Sequence, residues 1–144
     1  MQAVVVAGKV QKKKLGKVWF LAAVLTLGAC AAVKPIDSTI VTGLAGLKTQ
    51  ITNLYVGFQQ DPVSAADIDA VRNQLTIIKS KSDAREGKDS KFSDAIAVIQ
   101  ETFERHVAAR QKAVWAKVDV DDYTKNITEM IQDALDLENK RPSN

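Results

Sequence analysis

Hydrophobic residues recur at helical spacing through most of the chain after residue 36. The first such series alternates steps of four and three residues, as in the a and d positions of a heptad, and comprises Ile40, Leu44, Leu47, Ile51, Leu54 and Phe58. This spacing places one apolar stripe along a helix. Asp37 or Ser38 can cap its first turn, because a side-chain oxygen at that position accepts from free N–H groups.

A second helix is predicted after Asp61-Pro62, where Ser64 and Asp67 have the spacing of a capping box. Its apolar series is Ile68, Val71, Leu75 and Ile78. The stretch 80–90 is polar and charged and contains Gly87. It therefore predicts the sizeable loop of the chain.

Two further amphipathic helices follow this stretch. The third has Phe92, Ile96, Ile99, Phe103 and Val107 inward and Val114 and Trp115 at its far end, and we expect it to be the longest, at about 25 residues or 38 Å. Acidic residues in 119–122 are expected to cap the fourth. Its apolar face comprises Tyr123, Ile127, Met130, Ile131, Ala134 and Leu137.

These patterns predict an all-α fold, an up-down bundle of about four amphipathic helices over residues 37–139. No segment alternates in the manner of a strand. Residues 140–144 are expected to fray, and Gly43 and Gly46 would allow a neighbouring helix to approach closely. The same heptad seams could also pair chains, so an oligomeric bundle stays open.

The first 33 residues have a different character. Lysines at 12, 13, 14 and 17 precede an uncharged run of 16 residues, Val18–Val33, which ends among small residues around Cys30. A cationic segment, an apolar segment and a small-residue cleavage site in this order are typical of a secretory signal. The run is short for a membrane-spanning helix, which needs about 20 residues.

The residues Leu27-Gly28-Ala29-Cys30 resemble the lipobox of bacterial lipoprotein precursors. The resemblance covers only this N-terminal part. It implies cleavage between Ala29 and Cys30, a signal peptide at residues 1–29, acyl chains such as palmitate on Cys30, and a tether over residues 30–36. An uncleaved membrane anchor and an ordinary soluble protein are the alternatives.

The charge of the chain divides at Cys30. The formal net charge is +3, but all 17 acidic residues follow Cys30 and five of the 20 basic residues precede it, which leaves −2 on the remainder. A nucleic-acid-binding domain needs a basic excess of its own. We therefore expect no nucleic-acid partner.

Few residues are suited to chemistry. His106 is the only histidine and Cys30 the only cysteine, and we interpret His106 as a partly exposed residue on a helix face. Glu101 and Glu104 are three residues apart, with an ion pair expected between Glu101 and Arg105. Asp119, Asp121 and Asp122 begin like a calcium loop, but Thr124 and Met130 occupy the positions that need Gly and Glu. The sequence therefore predicts no catalytic, cofactor or metal site, and no enzyme.

The leading hypothesis is a lipid-anchored, non-catalytic helical protein of the bacterial envelope with a structural or protein-interaction role. Its partners would be the membrane, through acyl chains on Cys30, and an envelope protein or a second copy of the chain. Ala31 is not the Asp that retains such proteins in the inner membrane, so we expect the outer membrane, facing the periplasm. A phage-encoded lipoprotein of lysis or superinfection exclusion, and a carrier or sensor of an apolar ligand, are alternatives.

Overall fold

The computed structural model describes residues 34–88 and 90–143. This part of the chain contains four helices: α1 (Ser38–Gly57), α2 (Ala65–Glu86), α3 (Lys91–Lys112) and α4 (Lys117–Asn139). Each packs against two neighbours, α1 and α3 both lying between α2 and α4. Successive helices run in opposite directions, so the predicted all-α four-helix bundle is confirmed.

The apolar series of the sequence form the core. All six residues of the first series are buried, five of them in α1 and Phe58 directly after it. Helices α2 to α4 contribute Val71, Leu75, Ile78, Phe92, Ile96, Ile99, Phe103, Val107, Val120, Ile127, Ile131, Ala134 and Leu135. The prediction was wrong at Leu137, which is 39% exposed, whereas Leu135 is buried. Burial of these side chains is the main force that holds the helices together.

Side-chain oxygens cap the first turns of three helices. The Asp37 carboxylate accepts from the N–H groups of Thr39 and Ile40 at 2.8 and 3.2 Å. Ser64 Oγ accepts from Asp67 N–H at 3.2 Å, and Ser90 caps α3 in the same way. Of the two residues proposed for α1, Asp37 is the cap, and Ser64 caps α2 as predicted.

The predicted loop over residues 80–90 was wrong over most of its length, because α2 continues to Glu86. Two polar residues of this stretch lie against the neighbouring helices. Ser82 is fully buried, with no hydrogen-bond partner for its hydroxyl within the described residues, and Arg85 binds Glu138 of α4. Gly87, with φ of 87°, ends the helix in a backbone conformation that glycine adopts without steric cost.

The junction between α3 and α4 also differs from the prediction. Helix α3 has 22 residues and ends before Trp115, and α4, with 23, is the longest helix of the described part. Trp115 is buried in the link, and its backbone N–H donates to Phe58 O at 3.2 Å. Val114, in contrast, is exposed. Helix α4 begins at Lys117, and Asp119 accepts from Ala116 N–H at 2.8 Å within the first turn.

Gly43 and Gly46 differ in their surroundings. A Cβ atom at Gly43 would lie 3.0 Å from Gln74 Nε2 and 3.4 Å from two side-chain carbons of Ile78, all on α2. A Cβ atom at Gly46 would meet nothing within 4 Å. The predicted close approach is thus real at Gly43 and absent at Gly46.

We expect Gly43→Leu to lower the free energy of unfolding by about 1–3 kcal/mol, because the side chain would push α2 away. Gly46→Leu, the matched control, should leave it unchanged or raise it by up to about 1 kcal/mol through helix propensity. Urea unfolding of residues 33–144, a compact unit by itself, measures both. Equal effects at the two positions would contradict the packing described for Gly43.

Candidate functional site

The predicted lipidation site lies outside the described residues. This applies to Leu27, Gly28, Ala29 and Cys30, and to the signal peptide as a whole. The first described residue, Lys34, is four positions after Cys30. From there the chain reaches the α1 cap at Asp37, and Ile36 N–H donates to Pro142 O at 3.0 Å. The chain therefore enters the bundle beside its own C-terminal residues.

A cluster of charged side chains closes this end of the bundle. Its centre is Glu138 of α4, which is fully buried. Two Arg85 nitrogens donate to the Glu138 carboxylate at 2.8 and 2.7 Å, Arg141 Nε donates at 2.7 Å, and Asp37 N–H donates at 2.7 Å. Glu86 binds both arginines from the other side, at 2.8 and 2.7 Å. We refer to Asp37, Arg85, Glu86, Glu138 and Arg141 as the terminal ion-pair cluster.

The cluster keeps Glu138 ionised although it is buried. Burial by itself raises the pKa of this carboxyl, but the hydrogen bonds from Arg85 and from Asp37 N–H outweigh it and hold the pKa below its usual range. A carboxylate held in this way joins α2 to α4 across the bundle. Both carboxylate oxygens of Glu138 accept hydrogen bonds from groups of the bundle itself, so the role of Glu138 is structural.

Beside this cluster, Ser93 lies between a lysine and a carboxylate. Lys79 Nζ donates to Ser93 Oγ at 2.9 Å and to Asp83 at 2.8 Å, and Ser93 Oγ also bonds Asp83. The hydrogen bonds from Lys79 and Ser93 lower the pKa of Asp83. Ser93 is fully buried, so its hydroxyl is not accessible to a substrate. The three residues fasten α2 to α3.

The opposite end of the bundle is lined by aromatic rings around His106. We define the aromatic cluster as Tyr55, Phe58, Phe103, His106, Trp115 and Tyr123. Trp115 lies 4.9 Å from Phe58 and 4.4 Å from Tyr123 between ring centroids, and His106 lies 4.5 Å from Tyr123. Tyr55 and Trp115 are buried, and Tyr123 is partly buried and packs against the core.

The expectation of a partly exposed His106 was wrong. The residue is only 7% exposed, and its Nδ1 shares a hydrogen bond of 2.8 Å with the Tyr55 hydroxyl. Burial, with a smaller contribution from Arg105, lowers the pKa of His106 to about 4. Burial likewise raises the pKa of Tyr55. At neutral pH the pair is therefore uncharged, and it joins α1 to α3 across the bundle.

Arg110 is a structural residue that the sequence analysis missed. It is buried at the end of α3, where Nε donates to Phe58 O at 2.7 Å and Nη2 donates to Gln60 O at 2.8 Å and to the Asp61 carboxylate. It thus satisfies carbonyl groups just after α1. The sequence did contain an indication that Arg110 is buried, because it lies three residues after Val107 and continues the apolar series of α3.

Glu104, one of the two carboxylates that the sequence singled out on α3, is paired with a residue of another helix. Glu104 binds Arg72 of α2 through two hydrogen bonds, at 2.8 and 2.7 Å, while Arg105 donates to Thr102. The expected ion pair between Glu101 and Arg105 was therefore wrong. The partner of Glu104 lies on another helix, 32 residues away along the chain.

The acidic residues at the start of α4 have separate roles. The prediction that they cap the helix was wrong in position, because the N-cap is Ala116. Asp119 lies in the first turn and accepts from Ala116 N–H, and Asp121 binds Lys117 at 2.6 Å. Within residues 34–88 and 90–143, no group of three His, Cys, Asp or Glu side chains is placed to hold a metal ion. None of the helices of this part combines the length and apolar character needed to cross a membrane.

The cavities found on the described part are surface grooves. One, of about 290 Å³, runs between α1 and α2 and is lined by Gln50, Asn53, Leu54, Asp67, Ala70 and Val71. Polar and apolar groups share its lining, and it opens to solvent. An apolar-ligand carrier predicts an enclosed apolar pocket instead.

Comparison with known proteins finds no match to this chain among family models, curated protein sequences or solved structures.

We expect Glu138→Gln to lower the free energy of unfolding by about 3 kcal/mol, because Arg85 and Arg141 would lose their shared buried countercharge. Asp133→Asn, an exposed position on the same helix, is the matched control and should change it by less than about 0.5 kcal/mol. Chemical denaturation of residues 33–144 measures both variants. A Glu138→Gln protein as stable as the control would show that the cluster contributes little.

Stability should fall on acidification through His106. Its pKa is 6.5 in the unfolded chain and about 4 in the bundle. The stability that the neutral His106 contributes is therefore fully present above pH 6.5. It falls as the pH is lowered toward 4, because the unfolded chain takes up the proton first. The total loss down to pH 4 is about 3 kcal/mol.

Urea unfolding at several pH values tests this expectation. His106→Gln should lose most of the pH dependence between pH 6.5 and about 5, since the chain has no other histidine and carboxyls of lowered pKa, such as Glu138, take effect at lower pH. Wild-type stability that stays constant across this range would rule out a buried, neutral His106.

Proposed function

We propose that the chain is a lipid-anchored protein of the bacterial envelope whose helical bundle has a structural or protein-interaction role without catalysis. Acyl chains on Cys30 would hold it at the membrane, and residues 30–36 would be the tether. One observation supports this assignment above the others. The bundle begins at Asp37, seven residues after the cysteine of the lipobox-like sequence, so the whole described part would follow the anchor directly.

The strength of such an anchor follows from its chain length. Each buried CH₂ group contributes about 0.8 kcal/mol, so two or more acyl chains hold a protein stably at a bilayer. A secretory signal that ends at Ala29 would deliver the bundle to the far side of the inner membrane. With Ala31 in the position after the cysteine, we place the protein at the outer membrane, facing the periplasm.

The use of polar groups within the bundle favours a non-catalytic role. His106 bonds Tyr55, Ser93 bonds Lys79 and Asp83, and Glu138 is enclosed by arginines. Each of these groups stabilises contact between helices. A catalytic acid, base or nucleophile must instead reach a substrate.

Labelling with radioactive palmitate in bacterial cells tests the anchor. We expect the wild-type chain to incorporate label and Cys30→Ala to incorporate none, because Cys30 is the only cysteine. Inhibition of signal peptidase II should cause a labelled, uncleaved precursor to accumulate. Ala32→Ser, which leaves the lipobox-like sequence intact, is the matched control and should label like the wild type.

Two results would contradict the proposal. One is label that persists in Cys30→Ala, and the other is a wild-type chain that is neither labelled nor processed. Fractionation of the same cells should recover the wild type with the membranes. An unlabelled wild type in the soluble fraction would favour the soluble alternative.

A further inference from the structure

Five exposed lysines from different parts of the chain occupy the end of the bundle at which the chain enters. Lys34 precedes α1, Lys81 and Lys88 lie at the end of α2 and just after it, Lys91 begins α3, and Lys140 follows α4. The alternating helix directions bring these segments to one end. Within the described residues none of the five forms a salt bridge. We refer to them as the lysine surface.

Most carboxylates at the same end form ion pairs within the bundle. Those of the terminal ion-pair cluster are largely neutralised by its own arginines, and Asp83 is paired with Lys79. Asp94 and Asp136 are exposed but lie about one helical turn further from the end than the lysines of the same helices. The outermost charges of the described residues at this end are therefore positive.

The proposed anchor brings this end to a membrane. From Cys30 to Asp37 the chain can span at most about 25 Å even when fully extended. Helix α1, with 20 residues, extends about 30 Å away from that point. The anchor would therefore hold the end of the bundle with the lysine surface within about 25 Å of the bilayer, whereas the aromatic cluster lies at the opposite end of the bundle.

We propose that the lysine surface docks onto anionic phospholipid headgroups and sets the orientation of the bundle on the membrane. The inference rests on the proposed lipid anchor and adds the surface that the bundle presents to the bilayer. A lysine close to an anionic membrane surface attracts it by about 1 kcal/mol, an effect confined to about one Debye length. The tether is short enough for the lysines to come within one Debye length of the membrane surface.

The charge of the rest of the domain strengthens the orientation. The chain after Cys30 has a formal charge of −2, so a bundle lying on its side would bring net negative charge to a negative membrane. Docking through the lysine surface avoids this repulsion. In this orientation the lysine surface contacts the membrane, and the rest of the bundle points into the periplasm.

Energy transfer in vesicles made with the processed, lipidated chain tests the proposal. Cys30 would be blocked by its lipid, so a fluorophore can be attached to one introduced cysteine: Ser143→Cys at the lysine surface, or Ala113→Cys at the opposite end. The acceptor is a lipid dye at the bilayer surface. The vesicles contain phosphatidylcholine alone or together with phosphatidylglycerol, at low and high salt.

We expect strong transfer from position 143 and weak transfer from position 113 in vesicles with phosphatidylglycerol. Lys88→Gln, Lys91→Gln and Lys140→Gln combined should lower the docking equilibrium constant about tenfold or more, toward the value in phosphatidylcholine or at high salt. The matched control replaces three exposed lysines near the opposite end, Lys112, Lys117 and Lys125, with Gln. It should behave like the wild type.

Failure of this inference can be told apart from failure of the anchor. A chain that carries palmitate on Cys30 but shows equal transfer from both positions overturns the orientation alone. No effect of phosphatidylglycerol, or equal effects of the two triple variants, overturns the lysine surface. A chain without palmitate overturns the anchor, and with it the docking that depends on the anchor.

Discussion

The buried carboxylate of Glu138 is the interaction on which the rest of the structure depends. It receives hydrogen bonds from α2, from the residue that caps α1 and from the segment after α4. A buried carboxylate without these partners would cost several kcal/mol, so the three segments must meet at one place. This requirement determines where the chain enters the bundle. It also determines which end would face a membrane.

Buried polar groups are stabilised in different ways at the two ends of the bundle. At the terminal end, arginine and carboxylate groups remain charged and satisfy each other. At the opposite end, His106 and Tyr55 are uncharged and share one hydrogen bond among aromatic rings. Each solution joins a diagonal pair of helices, α2 with α4 or α1 with α3. These polar contacts are satisfied only when the four helices meet in the register that the structure has.

The helices and their inner faces could be predicted from the sequence because they depend on local spacing. Every residue of the first apolar series is buried as expected. The prediction failed where polar residues are stabilised by partners far away in the chain. Arg85 and Arg110 look like loop or surface residues in the sequence, yet each donates hydrogen bonds to a distant segment of the bundle. Glu138 is 53 residues away from Arg85, and the partners of Arg110 are 49 to 52 residues away from it.

The sequence by itself determined the number of helices, their amphipathic faces, the first caps and the lipobox-like segment at Cys30, because each depends on residues within one or two turns. Only the tertiary structure decided the pairing of Glu138 with two arginines, the neutral state of His106 and the extension of α2 to Glu86. These features depend on which side chains meet across the bundle. Spacing along one helix carries no information about the helix that packs opposite to it.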